Sequence, residues 1–215
     1  MALKRRSDIH LARKLWHVGG VSIMALIYTY APYEVAMTIL ALAWLAFVPV
    51  DVFRHYSPQL NRLALKTFGL IMRDHEEKKL AGTTYLLTGA ALVGLLFPRE
   101  VVQPTLLFLA FADPFASLIG IKYGTIKIFG HKSLQGFLAA FVICFVLSFS
   151  YFSNHGLLVN YQLTAAVLAG LVGALAELIP VANLDDNLTL PVLSALGLWG
   201  IYLFYGHPMT LGVIF

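Results

Sequence analysis

The chain has 215 residues, 59% of them hydrophobic and only 12% charged. Soluble domains carry about a quarter charged residues, so this composition, with a mean hydropathy of +0.78, excludes a soluble fold and indicates an integral membrane protein. The net charge of +4 is no sign of a nucleic-acid partner, because the bases fall where membrane topology puts them, and the lone Cys144, inside an apolar run, excludes a disulfide or a cysteine metal site.

A membrane-spanning helix needs about 20 predominantly apolar residues. Lys4, Arg5, Arg6, Arg13 and Lys14 precede the first apolar run. No small-residue cleavage site closes a short hydrophobic region there, so the run reads as an uncleaved first span. Seven spans are predicted, at about 15–31, 34–53, 83–97, 103–121, 134–152, 163–180 and 189–205. Between the second and third, the polar stretch 54–82 places Leu60, Leu63, Leu65, Phe68 and Ile71 at near-helical spacing against Arg62, Lys66 and Arg73. That pattern predicts an amphipathic helix lying on the membrane surface. The expected architecture is therefore all-α and polytopic, with about seven transmembrane helices, one cytoplasmic interfacial helix and a single domain over residues 1–215.

Fourteen of the fifteen Lys and Arg residues lie in the N-terminal segment, the 54–82 stretch or the 122–132 loop; only Arg99 falls on the other side. The positive-inside rule then puts the N-terminus and these loops in the cytoplasm and the C-terminus on the opposite side. Any chemistry belongs at the cytoplasmic end.

Asp113 sits inside an apolar run, and an ionisable residue at membrane depth points to function. Pro114 removes a backbone donor and can break the helix there. Asp113 suits a divalent-metal ligand or a general base. Ala116, Gly120 and Gly124 share one helical face, which permits close approach of a neighbouring helix or of a phosphate. Lys122, Lys127, His131, Lys132 and Ser133 make a cationic loop running into the next span, with Gly136 one turn on. A lysine beside a helix start is a ready anion site. Arg13, Lys14 and His17 lead into Gly19 and Gly20, and the first two are candidate phosphate ligands. Asp51 and Arg54 are spaced for a local ion pair. Arg73 and Glu76 fall in a stretch denser in charge than a connector requires, and one of Glu76 or Glu77 is expected to face the site. Glu177 is a second acid deep in an apolar run, followed by Asp185, Asp186 and Asn187. Asp113, Glu177 and Asp186, with Asn187, form an oxygen-rich set suited to Mg²⁺. An acidic cap on the last helix is the plainer alternative for Asp185 or Asp186.

These motifs resemble the polyprenol kinase family: dolichol kinase, phytol kinase and the CTP-dependent diacylglycerol kinase. The resemblance rests on Arg13-Lys14-x-x-His17; on Arg73, Glu76, Gly82, Thr84 and Tyr85; on Asp113, Ala116, Gly120, Gly124, Lys132, Ser133 and Gly136; and on Glu177, Asp186, Asn187 and Pro191. Gln135 departs from it, where the family pattern has Glu. The resemblance implies a kinase that moves the γ-phosphate of CTP to the hydroxyl of a membrane lipid such as phytol, a polyprenol or diacylglycerol. It implies catalytic roles for Asp113, Glu177 and Lys132. It implies a nucleotide site of Arg13, Lys14, Gly120, Gly124, Lys132, Ser133, Gly136 and Asn187, and Mg²⁺ on Asp113, Glu177 and Asp186. His17, Arg73 and Glu76 are secondary candidates. A cytidylyltransferase acting on a lipid phosphate shares part of the pattern but ends in a signature absent here. An anion transporter would also tolerate charges at membrane depth, yet no inverted repeat is visible.

Overall fold

A computed structural model describes residues 9–182 and 184–208. The chain folds as a helical bundle. Its helices are α1 (Leu11–Tyr30), α2 (Tyr33–Phe53), α3 (Pro58–Phe68), α4 (Gly82–Leu96), α5 (Arg99–Leu107), α6 (Asp113–Tyr123), α7 (Leu134–Asn154), α8 (Gln162–Leu178) and α9 (Asp186–Phe204). A π-helical segment, Phe108–Ala112, joins α5 to α6, and a short 3₁₀ turn covers Asp74–Glu77.

Five helical stretches are long and apolar enough to cross a bilayer: Tyr33–Phe53, Arg99–Tyr123, Leu134–Asn154, Val159–Leu178 and Asp186–Phe204. The expected first and third spans are also helical but fall outside that set. Gly82–Leu96 has only 15 residues, and the first two turns of α1 hold Arg13, Lys14 and His17. The protein is thus an integral membrane protein. The 54–82 stretch contains the expected amphipathic helix, α3, started by Pro58 and an Ser57 hydroxyl that accepts from the Leu60 amide. Its Leu60, Leu63 and Phe68 are exposed, as a helix lying on lipid requires.

The core runs through one cluster in which Val93, Phe108, Leu109, Leu190, Leu198 and Tyr202 are fully buried. Lipid provides no hydrophobic drive between helices, so close packing through small residues does the work. A Cβ on Gly173 would fall 2.4 Å from Cys144 Sγ and 3.0 Å from Phe108 Cδ2, so α8 is pressed against α7 and the π segment.

Two local expectations change. Pro114 does not break the helix: the chain stays helical from Arg99 to Tyr123. The π segment immediately before it explains why. In π pairing, an N–H reaches the carbonyl five residues back, so the widened turn removes the clash a proline ring makes with the carbonyl four back. One acceptor is left over, Leu109 O, whose π-helical donor would be the N–H that Pro114 lacks. His17 of α1 fills that vacancy, its Nε2 lying 2.7 Å from Leu109 O. The loop after α6 is also more ordered than expected. It forms an antiparallel hairpin of β1 (Lys127–Phe129) and β2 (Lys132–Ser133), turning through Gly130 at φ +54°.

Gly173→Leu should lower the detergent-solubilised unfolding midpoint, at a cost of about 1–3 kcal/mol from overpacking. Gly200→Leu, where an added Cβ meets nothing within 4 Å, should leave it within about 0.5 kcal/mol.

Candidate active site

The polar groups gather at one end of the bundle in two adjoining clusters. The first is built on the connector between α2 and α4. Asp51 and Arg54, at the end of α2, form the expected pair, with Arg54 Nε 2.7 Å from Asp51 Oδ1. Their reach is longer than a local pair. Asp51 Oδ2 accepts from the Ala81 amide at 2.9 Å and from the Thr84 hydroxyl at 2.5 Å. Arg54 Nη2 donates to Glu76 O at 2.7 Å and Lys79 O at 2.8 Å, and Nη1 to Asn61 Oδ1 of α3 at 2.6 Å. One arginine therefore ties the interfacial helix, the connector and α2 together.

Glu76 is 1% exposed and sits at the centre of this connector. Its carboxylate accepts from Arg13 Nη1 at 2.8 and 3.0 Å, from the Arg73 amide at 2.9 Å and from the Gly82 amide at 3.0 Å. Arg13 Nη1 also donates to Ile71 O at 3.1 Å. So α1, the connector and the start of α4 meet on one buried carboxylate. Gly82 packs tightly here: an added Cβ would displace the Arg13 guanidinium and the Asn187 amide from their places.

The second cluster lines a small cleft of about 50 Å³ whose walls include Arg73, Asp113, Ser117, Lys132, Glu177 and Asp186. Lys132, at the end of the hairpin, places Nζ 2.5 Å from Glu177 Oε1 and 3.5 Å from Asp186 Oδ2. Burial pulls its ammonium down from a lysine's ordinary value, but Asp186, Glu177 and Asp113 outweigh that and hold it above. Lys132 is therefore a fixed positive charge at any working pH. Lys14 reaches across from α1 and donates to Pro114 O at 3.1 Å and Ser117 Oγ at 2.8 Å, beside Asp113. His17 Nε2 lies 3.9 Å from Asp113 Oδ2, so α1 brackets the Asp113 turn from two sides.

The glycines and Ser133 have a clear packing role. A Cβ on Gly136 would lie 2.9 Å from Ala116 O, and one on Gly124 would lie 2.2 Å from Gly120 O and 2.6 Å from Ser133 Oγ. Gly120, Ser133 and Gly136 also line the cleft, so where α6 approaches α7 its wall is bare backbone and one small hydroxyl. Ser133 caps α7, its Oγ accepting from the Gly136 amide at 3.2 Å. Asp185 caps α9, accepting from Asn187 N at 3.1 Å and Asn187 Nδ2 at 2.7 Å. Burial, with the neighbouring Asp186 charge, raises the Asp185 carboxyl to about 6.

The structure thus brings Asp113, Lys132, Glu177 and Asp186 together with Gly120, Ser133 and Gly136, and sets Lys14 and His17 against the Asp113 turn. It sets Arg13 against Glu76, and Arg73 lines the cleft with Lys132. Ser117 was not singled out in the sequence; a serine in an apolar run gives no signal. Among the described residues no three His, Cys, Asp or Glu side chains gather closely enough to enclose a metal ion. Mg²⁺ usually binds through one or two carboxylates plus substrate phosphates rather than an all-protein cage, and the Asp113 and Asp186 carboxylates facing the cleft fit that role.

Similar proteins point the same way. The chain is 32% identical over 198 residues to a protein of Schizosaccharomyces pombe named CTP-dependent diacylglycerol kinase 1, covering 86% of this chain and 90% of that one. Proteins of the same name from Saccharomyces cerevisiae and Eremothecium gossypii are each 32% identical over 86% of this chain, which spans 71% and 64% of their lengths. No family model and no solved structure matches the chain.

Removing Glu76 should unfold this end of the bundle. Glu76→Ala leaves Arg13 and two amides without their acceptor, and should cost about 3–5 kcal/mol by thermal or denaturant unfolding, well beyond an exposed Glu77→Ala.

Proposed function

The chain belongs to the CTP-dependent diacylglycerol kinase family, and on that premise we propose that it transfers the γ-phosphate of CTP to the hydroxyl of a membrane lipid alcohol, with diacylglycerol the favoured acceptor. The observation that supports this most directly is Lys132. Its ammonium sits between Glu177 and Asp186 in a cleft that also holds Asp113, Arg73 and the nearby Lys14, which is the pairing of cations with acids that phosphoryl transfer needs. Such transfer depends on positioning and charge neutralisation more than on covalent chemistry.

In this reading Lys132, Lys14 and Arg73 hold the terminal phosphates, and the bare backbone at Gly120, Gly124 and Gly136, with the Ser133 hydroxyl, lets them approach. Arg13 takes part indirectly, by holding α1 and the connector on Glu76. Asp113 accepts the proton of the lipid hydroxyl as its oxygen bonds to the γ-phosphorus. The bond from that phosphorus to the bridging oxygen breaks, and CDP leaves with that oxygen's electron pair. Glu177 fixes the Lys132 ammonium and Asp186 steadies it. A Mg²⁺ ion, when bound at Asp113 and Asp186, would supply charge neutralisation on the phosphates.

The whole of residues 1–215 forms one kinase unit in this proposal, because both clusters draw on helices from each end of the sequence. The N-terminus and the site lie on the cytoplasmic side and the C-terminus on the opposite side. The bias of fourteen of the fifteen bases to the segments predicted on one side of the membrane supports that orientation.

The reading is tested with purified protein, labelled CTP and a panel of lipid alcohols. Phosphorylated lipid and CDP are the expected products; pyrophosphate with a CDP-linked lipid would favour cytidylyl transfer instead. At matched expression, Asp113→Asn and Lys132→Met should each lower kcat by about 100-fold or more. Near-normal turnover by Asp113→Asn would remove its assignment as base.

A further inference from the structure

Beside the phosphate cleft lies a far larger space that the transfer chemistry does not use. A cavity of about 500 Å³ opens between α1 and α2, walled by Trp16, Gly20 and Met24 on one side and Ala43, Phe47 and Val50 on the other. Ala64 and Phe68 of the interfacial helix cover its polar end. A second cavity of about 170 Å³ shares Gly20, Met24 and Ala43 with it and continues to Tyr28 and Val102. From Arg13 to Tyr28 the pair follows α1 for about 22 Å at 1.5 Å per residue. That is well over half of a hydrocarbon core of about 30 Å.

The space is kept open by the sequence. An added Cβ on Gly20 meets nothing within 4 Å, although Gly20 lines both cavities. The depth ends of the space are apolar, and its mouth is polar, formed by Arg13, Glu76, Gly82 and Asn187.

Asn187 identifies the headgroup chemistry. It is 4% exposed, and its Oδ1 has no hydrogen-bond partner, while its Nδ2 donates to Asp185 Oδ1 at 2.7 Å. That second bond fixes which way the amide points. A buried acceptor without a partner, on a residue of the cavity wall, calls for a donor. An alcohol supplies one; a carboxylate or a fully ionised phosphate would set acceptor against acceptor.

The mouth also touches the transfer site. His17 lines this cavity and stands 3.9 Å from Asp113 Oδ2, and Asn187 is next to Asp186 of the cleft.

We propose that the α1–α2 crevice is the acceptor site: it seats one long acyl chain of a lipid alcohol along α1, beside Gly20, and brings the hydroxyl to Asn187, which lines the polar mouth at the edge of the phosphate cleft. This rests on the lipid-kinase reading above. The lipid enters sideways from the bilayer between α1 and α2, where Gly20, Ala43 and Val50 are exposed. Phosphorylation converts the donor group that Asn187 holds into an acceptor, which favours release of the product.

The test uses CTP turnover with dioleoylglycerol and dioctanoylglycerol. Gly20→Phe and, from the facing wall, Ala43→Phe should each raise KM for the long-chain lipid by about tenfold more than for the short-chain one, as filling an apolar slot does. KM for CTP should stay within about twofold, since no uniform nucleotide contact is touched. If both variants keep the wild-type chain-length ratio, the crevice is not the acceptor site, although the kinase reading survives. If the wild-type protein releases no CDP with any lipid alcohol, the kinase reading fails, and a photoreactive diacylglycerol decides the crevice alone. Labelling of α1 and α2 that unlabelled diacylglycerol competes away and phosphatidylcholine does not, and that Gly20→Phe abolishes, supports the site. Labelling that both lipids compete equally is annular lipid or contact between copies, and overturns it.

Discussion

The polar end of this bundle depends on one constraint: a carboxylate taken out of water must meet a cation, or the fold does not hold. Asp51, Glu76 and Glu177 are each no more than 4% exposed. Desolvating such charges is costly, and attraction repays it only with good geometry and further hydrogen bonds. Each acid here is answered accordingly. Asp51 has Arg54 with an amide and a hydroxyl, Glu76 has Arg13 with two amides, and Glu177 has Lys132. Glu76 and Glu177 take their cations from distant parts of the sequence, so the pairs fasten α1 to the connector and the hairpin to α8. The opposite end needs no such network. Its lone Arg99 caps the C-terminus of α1, donating to Tyr28 O and Ala31 O, where a cation also suits the helix dipole.

Against that frame, the Asp113 turn is set by backbone chemistry. Pro114 cannot donate, the π segment shifts the pairing by one residue, and His17 supplies the missing donor to Leu109 O. Lys14, one turn earlier on α1, takes Pro114 O and Ser117 Oγ. The spacing of Lys14 and His17 is that of one helix turn, which is why both reach the same stretch of α6. Their structural duty is to hold the Asp113 carboxylate where α1 meets α6, and the α1–α2 cavity shares that wall through His17.

Much of this was legible in the sequence, for identifiable reasons. Apolar runs of bilayer length located the helical segments, and the amphipathic spacing of Leu60, Leu63 and Phe68 located α3. An acid in a greasy run marked Asp113 and Glu177, because such residues must have partners. The partners themselves were less legible. Arg13 precedes Lys14 and His17 and reads as part of one basic cluster, yet a helix turns about 100° per residue, and this sends Arg13 toward Glu76 while Lys14 faces α6. Asp51 and Arg54 read as a local pair because their spacing satisfies both charges; their bonds to Ala81, Thr84 and Lys79 depend on how the connector folds back. The π segment left no trace, since Phe108–Ala112 is ordinary apolar helix sequence. A crevice leaves none either, because it is defined by what Gly20 and Ala43 do not fill.

The charge balance of the cleft bears on how a nucleotide enters. Lys14, Arg73 and Lys132 stand against Asp113, Glu177 and Asp186, so the described side chains around it nearly cancel. A triphosphate would bring several negative charges into this nearly neutral, partly desolvated site. Glu177 already engages the best-placed cation, Lys132, at 2.5 Å. Phosphates bound there would share Lys132 with a buried carboxylate that, among the described residues, has this ammonium as its close partner. The excess negative charge has to arrive already compensated, which fits a nucleotide that enters with its divalent cation better than one that meets a preloaded metal. The absence of a three-carboxylate cage among the described residues follows the same logic, because acids alone can complete the ion's coordination only with the phosphate oxygens present. In the proposed reading, Lys132 is less an attractor for CTP than a fixed point against which the terminal phosphate would be aligned.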